Sequence, residues 1–100
     1  MAGVFHLSPF IYHLLHREVL IVKELIEMIV KALVDSPDEV AVTQVEGERS
    51  VIYEVLVPSE DMGRVIGKGG RIANSLRAVV KAAGARQNKN IWVDINKHPE

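Results

Sequence analysis

Four of the seven glycines in this 100-residue chain fall within eight positions, and three of them belong to the run Gly67-Lys68-Gly69-Gly70. A helix interior tolerates one glycine at a cost of about 1 kcal/mol, but three in four residues end it. Any helix before this run therefore stops near Ile66, and any helix after it starts anew near Arg71. Both flanks nonetheless carry helical signals. Ser59 reads as an N-cap, and Glu60 and Asp61 sit in a first turn, where the helix dipole favours negative charge. Beyond the glycines, Ile72, Leu76, Val79 and Val80 recur at helical spacing among Ala73, Ala78, Ala82 and Ala83, and Gly84 supplies a stop. The chain is thus committed to two short helices joined by a glycine turn.

Upstream, Val22, Leu25, Ile26, Ile29, Val30 and Leu33 follow a three-and-four spacing that places them on one helix face, with Lys23, Glu24, Glu27 and Lys31 elsewhere. Pro37 disfavours helical geometry at Ser36, so this first helix ends near Asp35. Two β-branched runs follow, Val40 to Val45 and Val51 to Val57, separated by Glu46-Gly47-Glu48 as a hairpin tip and closed by Pro58. Ile91, Trp92, Val93 and Ile95 form a last strand.

The predicted class is α+β, in the order α-β-β-α-α-β, with a three-stranded mixed sheet and the helices packed on one face. A composition of 48% hydrophobic and 25% charged residues suits a single domain of this length. We assign it to residues 19–96, with an extension over 1–18 and a tail over 97–100. Two readings of the extension stand. Ser8 and Pro9 mark a helix start from which Phe10, Ile11, Leu14 and Leu15 continue into the first helix, or the segment is loosely attached.

Several function classes are disfavoured. The chain has no Cys, which removes disulfides, thiolate metal sites and cysteine nucleophiles and makes a reducing cytoplasm the simplest setting. His13, His16 and Arg17 interrupt the early apolar residues before a membrane-spanning length is reached. His6, His13 and His16 have only Glu18 nearby to complete a metal site, so no metal or other cofactor is expected. No nucleophile, base and orienting group occur together, which argues against an enzyme and against a small-molecule substrate. The glycine run lacks the four-residue gap and the Ser or Thr after Lys of a nucleotide P-loop, and it misses the third glycine of a dinucleotide fingerprint. An aromatic content of 5% is too low for a base-stacking platform.

Net charge is only −1, but its distribution is uneven. Seven basic residues and no acidic one lie between Met62 and Val93, whereas eleven of the thirteen acids precede Met62. Such a split suits a face that meets a polyanion, although solvated helices carry similar charges.

The segment Val65-Ile66-Gly67-Lys68-Gly69-Gly70-Arg71-Ile72 resembles the core signature of a KH domain, whose Gly-x-x-Gly loop clamps the backbone of about four unpaired nucleotides. A helix and two strands precede the loop, which is similar to the type II, prokaryotic arrangement. The run from Glu24 through Leu33-Val34-Asp35-Ser36-Pro37-Asp38-Glu39-Val40 to Asp61-Met62-Gly63 further resembles the small stand-alone bacterial KH proteins of the KhpA type, over roughly Ile21 to Ile95. The resemblance implies single-stranded RNA as partner, a regulatory or chaperone-like role, and pairing with a second copy or with another KH-domain protein. Residues 1–18 depart from the family pattern.

On this reading Gly67, Gly69 and Gly70 let a phosphodiester approach and turn amides outward, while Lys68 and Arg71 add charge beside the N-terminus of the following helix. Ile66 and Ile72 are the candidates for apolar contact in the neighbouring groove. Arg64 and Arg77 complete the set. For Arg77, Lys81 and Arg86, solvated charge competes with RNA contact. Trp92, between Ile91 and Val93, reads as a packing residue before a base-stacking one. The alternative class is a KH-fold assembly subunit that works through its apolar N-terminal segment.

Overall fold

The computed structural model describes the backbone of residues 9–85 and 89–99, and side chains within these from Arg17 onward. The side chains of His6, His13, His16, Phe10, Ile11, Leu14 and Leu15, and the whole of Ser8 and Arg86, lie outside the described part. Helix α1 spans Pro9–Leu33, strands β1 and β2 span Ala41–Glu46 and Ser50–Val57, α2 spans Met62–Ile66, α3 spans Arg71–Ala83 and β3 spans Asn90–Lys97. Single 3-10 turns lie at Pro37–Glu39, Ser59–Asp61 and Lys68–Gly70. This is the predicted α-β-β-α-α-β order.

The hairpin forms as the Gly47 tip requires, with Gly47 N–H donating to the Ser50 carbonyl at 2.7 Å and Val42 opposite Val55 in an antiparallel ladder. β3 joins β2 in parallel, Tyr53 beside Val93, so the sheet is mixed and ordered β1-β2-β3. Period-two alternation sends Val51, Tyr53, Val55 and Val57 of β2, with Val42, Ile91 and Val93, to one buried face. Val19, Val22, Ile26 and Val30 of α1 and Leu76 and Val80 of α3 cover that face as one core. Tyr53 is fully buried, and its hydroxyl donates to the Val19 carbonyl at 3.1 Å, which satisfies a polar group inside the core.

Two local expectations are corrected, at Ser59 and at Trp92, and the setting of Asp61 is more specific than expected. Ser59 makes no side-chain cap; Pro58, extended at φ −59 and ψ 148, stands before a 3-10 turn in which its carbonyl accepts the Asp61 N–H at 2.9 Å. Glu60 and Asp61 do lie in a first helical turn, that of the 3-10 segment, and Asp61 directly precedes α2. Asp61 is buried, and its Oδ1 accepts the Asp35 N–H at 3.4 Å, which ties the chain after α1 to the start of α2. Trp92 does not pack in the core. It shares its side of β3 with Asp94, next to Ile52 on the uncovered face of the sheet, and is 56% exposed.

At the C-terminal end of β3 the order continues to His98, whose N–H donates to the Val57 carbonyl at 2.9 Å and whose ring Nε2 lies against the Glu39 carbonyl. No described helix is long and apolar enough to cross a membrane.

Candidate nucleic-acid interface

The glycine turn is built from three residues with positive φ. Gly67 sits at φ 79 and ψ 169, Gly69 at φ 65 and ψ 17, and Gly70 at φ 78 and ψ 13. The requirement differs among them. A Cβ on Gly67 would stand 2.6 Å from Ile72 Cγ1 and 2.9 Å from the Ile72 amide nitrogen, so glycine is demanded there by both backbone angle and space. A Cβ on Gly69 would meet nothing within 4 Å, so that position is open to whatever approaches the turn.

The turn is braced from within. Gly67 N–H donates to the Gly63 carbonyl at 2.9 Å, Gly70 N–H to Gly67 at 3.1 Å, and Arg71 N–H to Lys68. The amides of Gly67, Gly70 and Arg71 are thus turned inward, contrary to the expectation that glycine freedom points them out. The physical reason is that the Gly67 amide continues the ladder of α2 and those of Gly70 and Arg71 close the 3-10 turn. What faces solvent is charge: Lys68 and Arg71 are both exposed. α3, which starts directly behind the turn, has no side-chain cap at its N-terminus, so its positive dipole end is left toward the same place.

α3 then presents a polar stripe. Arg71, Asn74, Arg77 and Lys81 recur at spacings of three and four, on the flank of the helix that lies along β3. Arg77 Nε donates to the Val93 carbonyl at 3.2 Å, and its NH1 donates to Asn74 Oδ1 at 3.3 Å. Among the described residues β3 pairs with β2 alone, so its second edge has no strand partner there, and Arg77 occupies part of it. Arg77 and Lys81 line a groove against Ile91, Trp92, Val93 and Asp94. This groove lies between the middle of α3 and the β3 edge.

The residues singled out in the sequence therefore divide. Gly67, Lys68, Gly69, Gly70 and Arg71 lie together at the turn, and Arg77 lies farther along α3, in the groove against β3. Ile72 is half-buried directly behind Gly67 and holds the turn's shape; Ile66, also half-buried, ends α2. Arg64 points elsewhere and forms an ion pair with Asp35, just past the end of α1. Asn74 and the β3 edge were missed. The three-residue spacing of Arg71, Asn74 and Arg77 was a signal for the first, whereas the second depends on which strand lies at the sheet's edge.

Two helices joined by a glycine turn, set on a three-stranded mixed sheet in this order, are the architecture of a KH domain. The family of KhpA/KhpB KH domains matches residues 23–95. The chain is 56% identical over 73 residues to the RNA-binding protein KhpA of Clostridium acetobutylicum, a match covering 73% of this chain and 97% of that protein. It is 51% identical over 72 residues to the RNA-binding protein KhpA of Caldanaerobacter subterraneus, covering 72% and 96%, and 46% identical over 72 residues to that of Borreliella burgdorferi, covering 72% and 88%. No solved structure matches. The chain belongs to the KhpA/KhpB KH-domain family.

Proposed function

We propose that this protein binds single-stranded RNA, holding the strand's backbone at Gly67–Gly70 and its bases along the groove between α3 and β3. The observation that carries the reading is the turn itself. Three glycines of positive φ, one with no room for a side chain and one opening onto free space, carry exposed Lys68 and Arg71 at an uncapped helix N-terminus. This arrangement attracts a phosphate by charge and dipole while keeping side-chain bulk away from it. It reads no base. Base preference falls to the groove, where the β3 edge and Asn74, Arg77 and Lys81 offer donors and acceptors to unpaired base edges. Relatives that match nearly their whole length to this chain are named RNA-binding proteins, which supports the same partner.

On this account the protein performs no reaction; it acts in the cytoplasm as a regulatory or chaperone-like RNA binder, paired with a second copy or another KH chain. The 19–96 unit carries the RNA site, and Arg64 contributes only after leaving Asp35.

Few phosphates are engaged, so affinity is modest and depends on salt. With two or three contacts to a single strand, the plot of log affinity against log salt has a slope between about −1.5 and −2. Titration of a short unstructured RNA across a salt series measures it. The same sequence in a duplex competes poorly, because its base edges are stacked and paired. A slope near zero, or equal competition by duplex, contradicts the proposal.

A further inference from the structure

The face of the sheet turned away from the helices carries one apolar row. Val45, Ile52 and Trp92 lie side by side across β1, β2 and β3, since Val45 pairs with Ile52 and Ile52 with Trp92. Neighbouring strands stand about 4.8 Å apart, so the row spans roughly 10 Å. Val45 is 59% exposed and Trp92 56%, with Ile52 half-buried between them. The rows on either side are polar: Thr43, Glu54 and Asp94 on one, Ser50 and Asn90 on the other. The Trp92 indole lies outside the core. It stands on the edge strand, at the rim of the groove that Arg77 and Lys81 line from α3, and Arg77 itself donates to the carbonyl of the next residue, Val93.

We infer that Trp92 stacks on one unpaired base of the bound RNA, a nucleotide that leaves the groove by turning over the β3 edge onto the sheet. The inference rests on the RNA reading above and adds a contact to it. Charge decides which part of the strand comes here. Arg77 and Lys81 hold positive charge on the α3 side of the edge, whereas Glu54 and Asp94 hold negative charge on the sheet side. Phosphates therefore stay with α3, and the part of the nucleotide that crosses the edge is the uncharged base. A base presents a flat π face, for which an exposed indole is the matching surface. Size points to the same occupant. A stable protein interface takes about 800 Å² from each partner, several times what three side chains in one row present. One stacked base also agrees with the low aromatic content, which argues against a platform of several rings and not against a single one. Every base has a π face, so Trp92 adds affinity and fixes the strand's path, while selection among bases stays with the groove.

Trp92 is the chain's one tryptophan, so fluorescence excited beyond the tyrosine band reports on it alone. Titration of the full chain with a short single-stranded RNA tests the stack, followed by this emission and, in parallel, by the anisotropy of a labelled strand. In the natural chain the emission is expected to be quenched along the same curve as binding. Trp92→Leu keeps an apolar side chain but has no π face, and is expected to bind at least about fivefold more weakly. That loss is expected to be the same factor at low and high salt, because no charge is removed, whereas the loss in Lys68→Asp with Gly69→Asp shrinks as salt rises. Trp92→Phe is expected to regain most of the affinity, and circular dichroism establishes that each variant is folded. Affinity of Trp92→Leu within about twofold of the natural chain overturns the stack, as does emission unchanged at saturation or a Trp92→Phe no better than Trp92→Leu. The glycine turn then keeps its RNA role if its own variant loses binding, and the sheet face belongs to a different partner. A natural chain that binds no RNA overturns both proposals.

Discussion

Replacing Gly67 with alanine is expected to destabilise the protein by about 3 kcal/mol, whereas the same change at Gly69 costs about 1 kcal/mol. Both glycines have positive φ, so backbone preference alone does not separate them. The difference lies in ψ and in space. Gly67, at ψ 169, occupies a region that other residues essentially never enter, and its added methyl would strike the Ile72 backbone nitrogen at 2.9 Å. That nitrogen belongs to the first turn of α3 and moves only if the helix moves. Gly69 sits in the ordinary left-handed region with nothing within 4 Å. Urea unfolding reads the effect as a lowered midpoint with an unchanged slope. Equal losses at the two positions would mean that the turn is not held against Ile72 as described.

The second large effect is on binding. Lys68→Asp combined with Gly69→Asp is expected to weaken affinity for single-stranded RNA at least tenfold, about 1.4 kcal/mol, and to flatten its salt dependence. One positive charge becomes negative at the turn, a second negative charge is added, and a side chain now fills the open side of Gly69. The fold should withstand this. Lys68 is exposed, aspartate is among the residues that tolerate left-handed geometry, and both new carboxylates lie near the N-terminus of α3, where the dipole favours them. Filter binding at two salt concentrations, with circular dichroism on both proteins, measures it. An affinity within twofold of the natural protein removes the turn from the RNA site.

Much of the fold was legible because local signals and burial agreed. Three glycines in four residues have no place in a helix, and Glu46-Gly47-Glu48 between two β-branched runs has few uses besides a hairpin. The alternation Ile91, Val93, Ile95 also placed Trp92 on the side of Asp94, so its exposure was available from period two; attention to its aromatic bulk obscured that parity. The roles of Asp61 and Arg64 were not available. Both depend on Asp35, far away in sequence, and on how the end of α1 meets the start of α2. A carboxylate at a helix start fits the dipole rule equally well whether it faces water or is buried against another element. The groove was illegible for the same reason, since Arg77 reaches Val93 only after the chain has crossed back to make β3 the edge strand.

The most direct test of the proposed RNA site is an amide chemical-shift titration of the natural protein with a short single-stranded RNA. The account predicts the largest shifts at Lys68, Gly69, Arg71, Ile72 and Ala73, and next along Ile91 to Asp94 of β3, with the amides of α1 and of β1 little changed. Shifts centred on Ile21 to Ala32, with the glycine turn silent, would contradict it and transfer the binding site to α1.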